Sequence, residues 1–168
     1  MLAEREMIKE PTELQLPWDL GEWASPEQLS AWAAAVAGSL DWANPELVSW
    51  LRGQPDFHPK VILSILTLAY ALGIYEADEI ERACYEQPAF QSLCRGIPRP
   101  AGSQFNKFRK DNRGLLKFCL FELFKVVFRA HFELGDTFIP AGIRKHLLES
   151  AVNRLDVARQ LNRGAEGM

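Results

Sequence analysis

Apolar residues follow one another with little interruption between Val61 and Leu72, so a helix over this stretch would be hydrophobic on nearly every side. Pro59 precedes the run and Gly73 follows it, and these residue types commonly begin and end helices. The run is too short for a membrane span, which needs roughly 20 apolar residues. The pattern therefore predicts a central core helix over residues 60–72 and no membrane partner.

Helix-start and helix-stop signals recur along the rest of the chain, whereas the alternating pattern of a strand is absent. Ser25-Pro26-Glu27-Gln28 begins a helix that ends before Gly38, and Asn44-Pro45-Glu46 begins a short one that ends near Leu51. Further helices are predicted over residues 77–86, 88–94, 103–112, 115–134 and 141–162. The predicted fold class is all-α: a compact multi-helix bundle with a helix-turn-helix-like unit, an N-terminal arm and a C-terminal helix.

Three regions follow from this pattern. Residues 1–56 form an acidic, tryptophan-rich arm and helical cap, residues 57–134 a helical domain with the helix-turn-helix, and residues 135–168 a C-terminal helix and tail. All five tryptophans lie before residue 51. They either pack as a cap on the main bundle or form a partner-binding surface.

The charge is unevenly distributed along the chain, although the net charge is only −3. Residues 1–57 hold ten acids and three bases, whereas residues 95–129 hold nine bases and two acids. Because phosphate contacts require a local basic face rather than a basic protein, the second segment is the candidate for nucleic-acid contact.

Cysteine and histidine usage favours neither a disulfide framework nor a zinc site. The three cysteines are not closely paired, no CxxC motif occurs, and the three histidines are scattered. No glycine-rich phosphate loop or catalytic triad is present. We therefore expect reduced, mostly buried thiols, a cytoplasmic protein, no metal, no cofactor and no small-molecule substrate.

The segment 77–113 has the pattern of a helix-turn-helix. Two short predicted helices precede a turn that contains Gly96, Pro98 and Pro100, and a polar, basic helix follows. On that helix Phe105 and Phe108 should face the core. Its polar side chains include Gln and Asn, which can bond adenine, and Arg and Lys, which can bond guanine or phosphate. Ser103 is the expected N-cap, with backbone N–H groups at Ser103 and Gln104 that could accept a phosphate. By composition alone, a solvated charged face explains this helix equally well.

The stretches Phe57-His58-Pro59-Lys60-Val61-Ile62-Leu63 and Tyr70-Ala71-Leu72-Gly73-Ile74 resemble the N-terminal domain of insertion-sequence DDE transposases. So do Glu79–Cys84, Pro88–Leu93 and the segment Pro100–Lys110, in which Phe105 and the pair Phe108-Arg109 match the family pattern. The resemblance spans about residues 57–128. Where the family has an aspartate after the proline, this chain has Ala101, so the geometry of the turn should differ.

The resemblance implies that the chain recognises the terminal inverted repeats of a transposon. Carried over by position, the DNA-reading residues are Ser103, Gln104, Asn106, Lys107, Arg109, Lys110 and Arg113. Arg95 and Arg99 are the expected phosphate clamps. Double-stranded DNA is the implied partner.

We expect no catalytic domain in this chain. A DDE transposase needs three carboxylates on an RNase H-like sheet to hold two metal ions, and the residues after 134 are few and read as one helix. Glu149 and Asp156 should simply pair with Lys145 or Arg159. The chain would then be a truncated, split or domesticated transposase that binds DNA.

The alternative is a protein-interaction or assembly module on the same scaffold, without DNA binding. In that case the acidic, tryptophan-rich first third and the last helix would be the working surfaces. The last helix could form a homodimer through an apolar stripe of Ile143, Leu147, Val152 and Leu155.

Overall fold

A computed structural model describes residues 16–40 and 59–166, with side chains described up to residue 162. Within these ranges the chain forms seven α-helices, one 3₁₀ turn and no strand. The 3₁₀ turn is Leu20–Glu22. The helices are α1 (Pro26–Ser39), α2 (Pro59–Ala71), α3 (Ala77–Glu86), α4 (Pro88–Leu93), α5 (Gly102–Asp111), α6 (Arg113–His131) and α7 (Ala141–Glu166). The all-α prediction is confirmed.

Most of the observed helix bounds follow the proline and glycine signals, but the predicted end of α1 was wrong, because the helix continues through Gly38 to Ser39. α3 has the predicted bounds, while α2 and α6 each begin and end slightly earlier than predicted. α7 continues beyond residue 162 to Glu166. The short helix predicted near 44–51, and most of the predicted N-terminal arm, lie outside the described residues.

Helix α2 lies at the centre of the core, since every residue from Ile62 to Ala71 is buried. It packs against α1 and α6, and more lightly against α3, α4 and α5. Gly73 ends the helix with a φ of 79°, a left-handed conformation that glycine adopts without strain. Directly beside it runs the backbone of Trp18. The predicted core helix is therefore the element around which the others are arranged.

The N-cap signal at Ser25 forms as predicted. The Ser25 hydroxyl accepts the backbone N–H of Gln28 at 3.1 Å, and the Gln28 side chain accepts the N–H of Ser25 at 3.3 Å. Farther along α1, the buried Ser30 hydroxyl donates to the Ala89 carbonyl of α4 at 2.8 Å. These bonds define where α1 begins and how it meets α4.

Residues 16–23 lie across α6 and α7. Trp23 stacks on His131 at the end of α6, with ring centroids 3.8 Å apart. The guanidinium of the buried Arg154 lies between the rings of Trp18 and Phe124, 4.8 Å from each centroid, and donates to the Pro17 carbonyl at 2.6 Å. The first described residues thus pack on the bundle, as a cap would, although Trp18 itself stays 53% exposed.

Helices α5 and α6 are separated by Asn112 alone. Both the backbone N–H and the side-chain amide of Asn112 donate to the Phe108 carbonyl, at 2.9 and 3.1 Å. Its own carbonyl accepts the N–H of Leu116. The hydrogen-bonding pattern therefore runs on from one helix into the next, although the backbone of Asn112 is not helical.

Helix α7 packs along α6, and its apolar stripe belongs to the chain's own core. Ile143, Leu147 and Leu155 are at most 4% exposed, and Val152 is half-buried. The stripe predicted for a homodimer is therefore already covered by this chain. A second copy would have to dock on another face of α7.

In the described part of the chain, no helix combines the length and the apolar character that crossing a bilayer would require.

Candidate nucleic-acid interface

The N-cap of helix α5 is Ala101, two residues before the predicted Ser103, so the helix begins at Gly102. The Gln104 side chain accepts the N–H of Ala101 at 2.7 Å, and the N–H of Gly102 donates to the Glu81 carboxylate of α3 at 2.5 Å. A carboxylate therefore already lies at this helix N-terminus. The prediction that backbone N–H groups here accept a phosphate is at odds with that charge.

Three of the predicted DNA-reading residues lie on one exposed stripe of α5. Ser103, Lys107 and Lys110 are spaced four and then three residues apart, which puts them on one side of a helix, and all three are exposed. Phe105 and Phe108 are buried on the opposite side, as predicted. The amphipathic pattern thus presents a polar, cationic stripe to solvent.

Arg109 and Asn106 do not join that stripe. The Arg109 guanidinium donates to the Tyr75 carbonyl at 2.5 Å, to the Tyr70 hydroxyl at 3.4 Å and to the Asn106 side-chain oxygen at 2.5 Å. Both residues are half-buried. Their polar groups hold α5 against α2 and the segment that follows it.

Arg113 and Arg99 are also bound within the chain. Arg113 forms a 2.7 Å ion pair with Asp156 of α7, so Asp156 pairs across helices as well as with Arg159, which is 3.9 Å away. Arg99 donates to the Cys84 carbonyl at 2.8 Å and lies over the ring of Tyr85. Arg95 is exposed on the turn before α5. The nine predicted residues therefore divide into exposed groups and groups that support the fold.

A pocket of about 280 Å³ opens where α5, α6 and α7 meet. From the predicted set it brings together Asn106, Arg109, Lys110 and Arg113. Residues that the sequence analysis did not assign to a DNA site complete it: Tyr70, Leu116, Leu155, Arg159 and Asn162. The three from α7 are spaced four and three residues apart, a helical stripe that could have been noticed, but nothing in the sequence connects that stripe with α5.

Burial and hydrogen bonding shift the pKa values of several tyrosine and cysteine side chains. It raises the pKa of Tyr70, with the Arg109 guanidinium acting in the opposite direction, and it raises the pKa of Tyr75. A hydrogen bond with Cys94 raises the pKa of the Cys84 thiol, and burial raises the pKa of Cys119 to about 12. All three cysteines are buried, as predicted, and they form no disulfide.

The described residues contain no cluster of three or more His, Cys, Asp or Glu side chains suited to a metal ion. The polar groups near α5 are cations, amides and hydroxyls, together with the carboxylates of Glu81, Asp111 and Asp156. The cations, amides and hydroxyls suit hydrogen bonding and charge pairing with an anion.

Fold and surface together define the chain as an all-helical domain with a cationic, solvent-facing helix on an apolar core. Residues 31–111 match the model of the family described as Transposase domain (DUF772), so this segment of the chain is transposase-related. The match runs from within α1 to the last residue of α5. The resemblance seen in the sequence over about residues 57–128 is thus confirmed as transposase-related for residues 57–111. Comparison with curated proteins gave no significant match, and neither did comparison with solved structures.

Proposed function

We propose that the transposase-related segment binds double-stranded DNA through α5. One observation supports this most directly: the last helix of that segment presents the exposed stripe Ser103, Lys107 and Lys110 to solvent. Phosphate contacts give protein–DNA affinity its electrostatic part, and exposed lysines and hydroxyls are suited to them.

In this proposal α3, α4 and α5 act as a helix-turn-helix unit with α5 as the recognition helix. α3 contacts both α4 and α5, so the three helices form one packed group. Arg95 and Arg99 precede α5 and contact the DNA backbone on its flank. The target implied by the resemblance is the terminal inverted repeat of an insertion sequence.

The internal hydrogen bonds narrow the set of residues that contact DNA directly. Gln104 caps α5, and Asn106 and Arg109 bond to each other. Their contribution is to fix the orientation of the helix. On the exposed face of α5, Ser103, Lys107 and Lys110 are the residues that reach the DNA.

The assembly function remains the second candidate. The exposed ring of Trp18 is compatible with it. One of its two predicted surfaces, the apolar stripe of α7, is however buried for the most part in the core, and for this reason we rank DNA binding first.

Fluorescence anisotropy with a labelled mixed-sequence duplex tests the proposal across a series of salt concentrations. We expect the affinity to fall steeply with salt. Lys107→Ala and Lys110→Ala should each weaken binding and reduce the slope of log affinity against log salt by about 1. Lys145→Ala is the matched control, because Lys145 is an exposed lysine near the start of α7, away from α5.

Duplex binding that both α5 variants leave unchanged, in affinity and in salt slope, would refute the role of α5. Equal losses in Lys145→Ala and in the α5 variants would show unspecific attraction to the whole surface. Selection from a library of random duplexes then tests whether the chain recognises a particular DNA sequence. If it does, we expect one sequence motif to be enriched.

A further inference from the structure

The pocket between α5, α6 and α7 has an excess of positive charge. Four cations line it: Arg109, Lys110, Arg113 and Arg159. The carboxylate that pairs with two of them is Asp156, which lies 2.7 Å from Arg113 and 3.9 Å from Arg159. A single carboxylate shared between two guanidiniums leaves the group cationic, which favours a bound anion.

Neutral acceptors hold Arg109 in place. Its three hydrogen bonds go to a carbonyl, a hydroxyl and an amide oxygen, and no ion pair involves it among the described residues. Its orientation is therefore fixed while its charge is not cancelled. An immobilised guanidinium of this kind loses little freedom when it binds an oxyanion.

The walls of the pocket also suit a small anion. Leu116 and Leu155 form an apolar side, which limits the competing water, and the Tyr70 hydroxyl lies at the Arg109 end. A volume of about 280 Å³ falls near the lower limit of small-molecule sites, which begin at roughly 300 Å³. The space fits a phosphate with its attached ester group better than a larger ligand. Arginine forks match the oxygens of such a group in geometry.

We propose that this pocket binds a phosphate group of the DNA, separately from the exposed stripe of α5. The proposal rests on the proposed DNA-binding function. Lys110 lies in both surfaces and links them, since it lines the pocket and ends the exposed stripe. A duplex lying on α5 would thus have one phosphate in the pocket while the others contact the stripe.

Isothermal titration calorimetry of the 168-residue chain with inorganic phosphate tests the pocket without DNA. Arg159→Gln should weaken phosphate binding about three- to fivefold, the size expected for one partly exposed charge. Asp156→Asn should strengthen it by a similar factor, because it removes the competing carboxylate. The side chain of Arg159 is 58% exposed, so its replacement should leave the fold intact, and Lys145→Gln is the matched control.

Unchanged phosphate affinity in both pocket variants, or an equal change in Lys145→Gln, would overturn the proposal. Duplex binding then shows where the phosphate comes from. If Arg159→Gln weakens the binding of a duplex without terminal phosphates, the pocket binds a backbone phosphate. If it weakens the binding of only a 5′-phosphorylated duplex, the pocket binds the terminal phosphate.

The two proposals fail in distinguishable ways. If Arg159→Gln lowers the affinity for inorganic phosphate but not the affinity for any duplex, the pocket does not bind a phosphate of DNA. Failure of the DNA-binding function itself would instead appear as no duplex binding by the unaltered chain, whatever the phosphate titration gives.

Discussion

Tyr70 and Tyr75 have adjacent rings, with centroids 5.3 Å apart, but their hydroxyl groups differ. The Tyr70 hydroxyl accepts a hydrogen bond from Arg109. The Tyr75 hydroxyl is buried and has no hydrogen-bond partner among the described residues. A buried polar group without a partner costs free energy, whereas the same ring without the hydroxyl does not.

We therefore expect Tyr75→Phe to keep or raise the free energy of unfolding at pH 7, by up to about 1 kcal/mol. Tyr70→Phe, the matched control, should lower it by about 1 kcal/mol, because Arg109 loses an acceptor. Urea denaturation measures both. A clear loss of stability in Tyr75→Phe would show that its hydroxyl is hydrogen-bonded.

The buried hydroxyl of Tyr75 should also make the free energy of unfolding depend on pH in the alkaline range. Burial raises the pKa of Tyr75, so above pH 10 the unfolded chain gives up this proton before the folded chain does. The free energy of unfolding then falls as the pH rises. Tyr75→Phe removes this contribution, and its advantage over the unaltered chain should widen between about pH 9 and 11. A constant difference over that range would contradict the expectation.

At the scale of elements, the position of α5 depends on a carboxylate of α3. Glu81 accepts the backbone N–H of Gly102 at 2.5 Å, across 21 positions of the sequence. This bond replaces the side-chain cap that Ala101 cannot provide. It joins the first turn of α5 to the middle of α3.

Glu81→Ala should lower the free energy of unfolding by about 1–2 kcal/mol and speed hydrogen exchange at the Gly102 amide, because that N–H loses a charged acceptor. Glu79→Ala is the control, since Glu79 is an exposed acid of the same helix. Equal effects of the two variants on exchange at Gly102 would rule out a specific role for Glu81.

Helix existence and bounds could be predicted from the sequence because they depend on local signals. Pro59, Pro88 and the Ser25 capping box act within one turn of the helices that they begin. The predicted N-cap of α5 was wrong. Ser103 has the local pattern of an N-cap residue, but the hydrogen bond at the start of the helix comes from Glu81, which lies on another helix. The inward orientation of Arg109 likewise depends on Tyr70 and Tyr75.

At the scale of the whole molecule, α7 is part of the core. Ala151 and Ala158 are buried together with the larger apolar residues of its stripe, and Arg154 ties the helix to the N-terminal segment. The sequence predicted the apolar stripe but not what it packs against, because hydrophobic periodicity identifies the buried face of a helix and not the element that covers it. For the same reason the pocket could not be foreseen, since its residues come from four separate helices.

Leu147→Ala should therefore lower the free energy of unfolding by about 2–4 kcal/mol, because it leaves a cavity in the core. Leu148→Ala should change it much less, since Leu148 is 37% exposed. Thermal unfolding at several protein concentrations checks this. If the loss in Leu147→Ala grew with dilution, the residue would lie in a dimer interface and not in the core of one chain.

The single residue between α5 and α6 has a mechanical consequence. Because Asn112 is bonded to both helices, α5 cannot turn on its axis or tilt without moving the start of α6. α6 has 19 residues, so it extends about 28 Å from Asn112, and its far end carries the stacked rings of Trp23 and His131. A small rotation of α5 would therefore be passed to α6 and to the helices packed on it, α1, α2 and α7. We therefore expect a ligand that shifts α5 to change the environment of Trp23 as well, although Trp23 does not lie on α5.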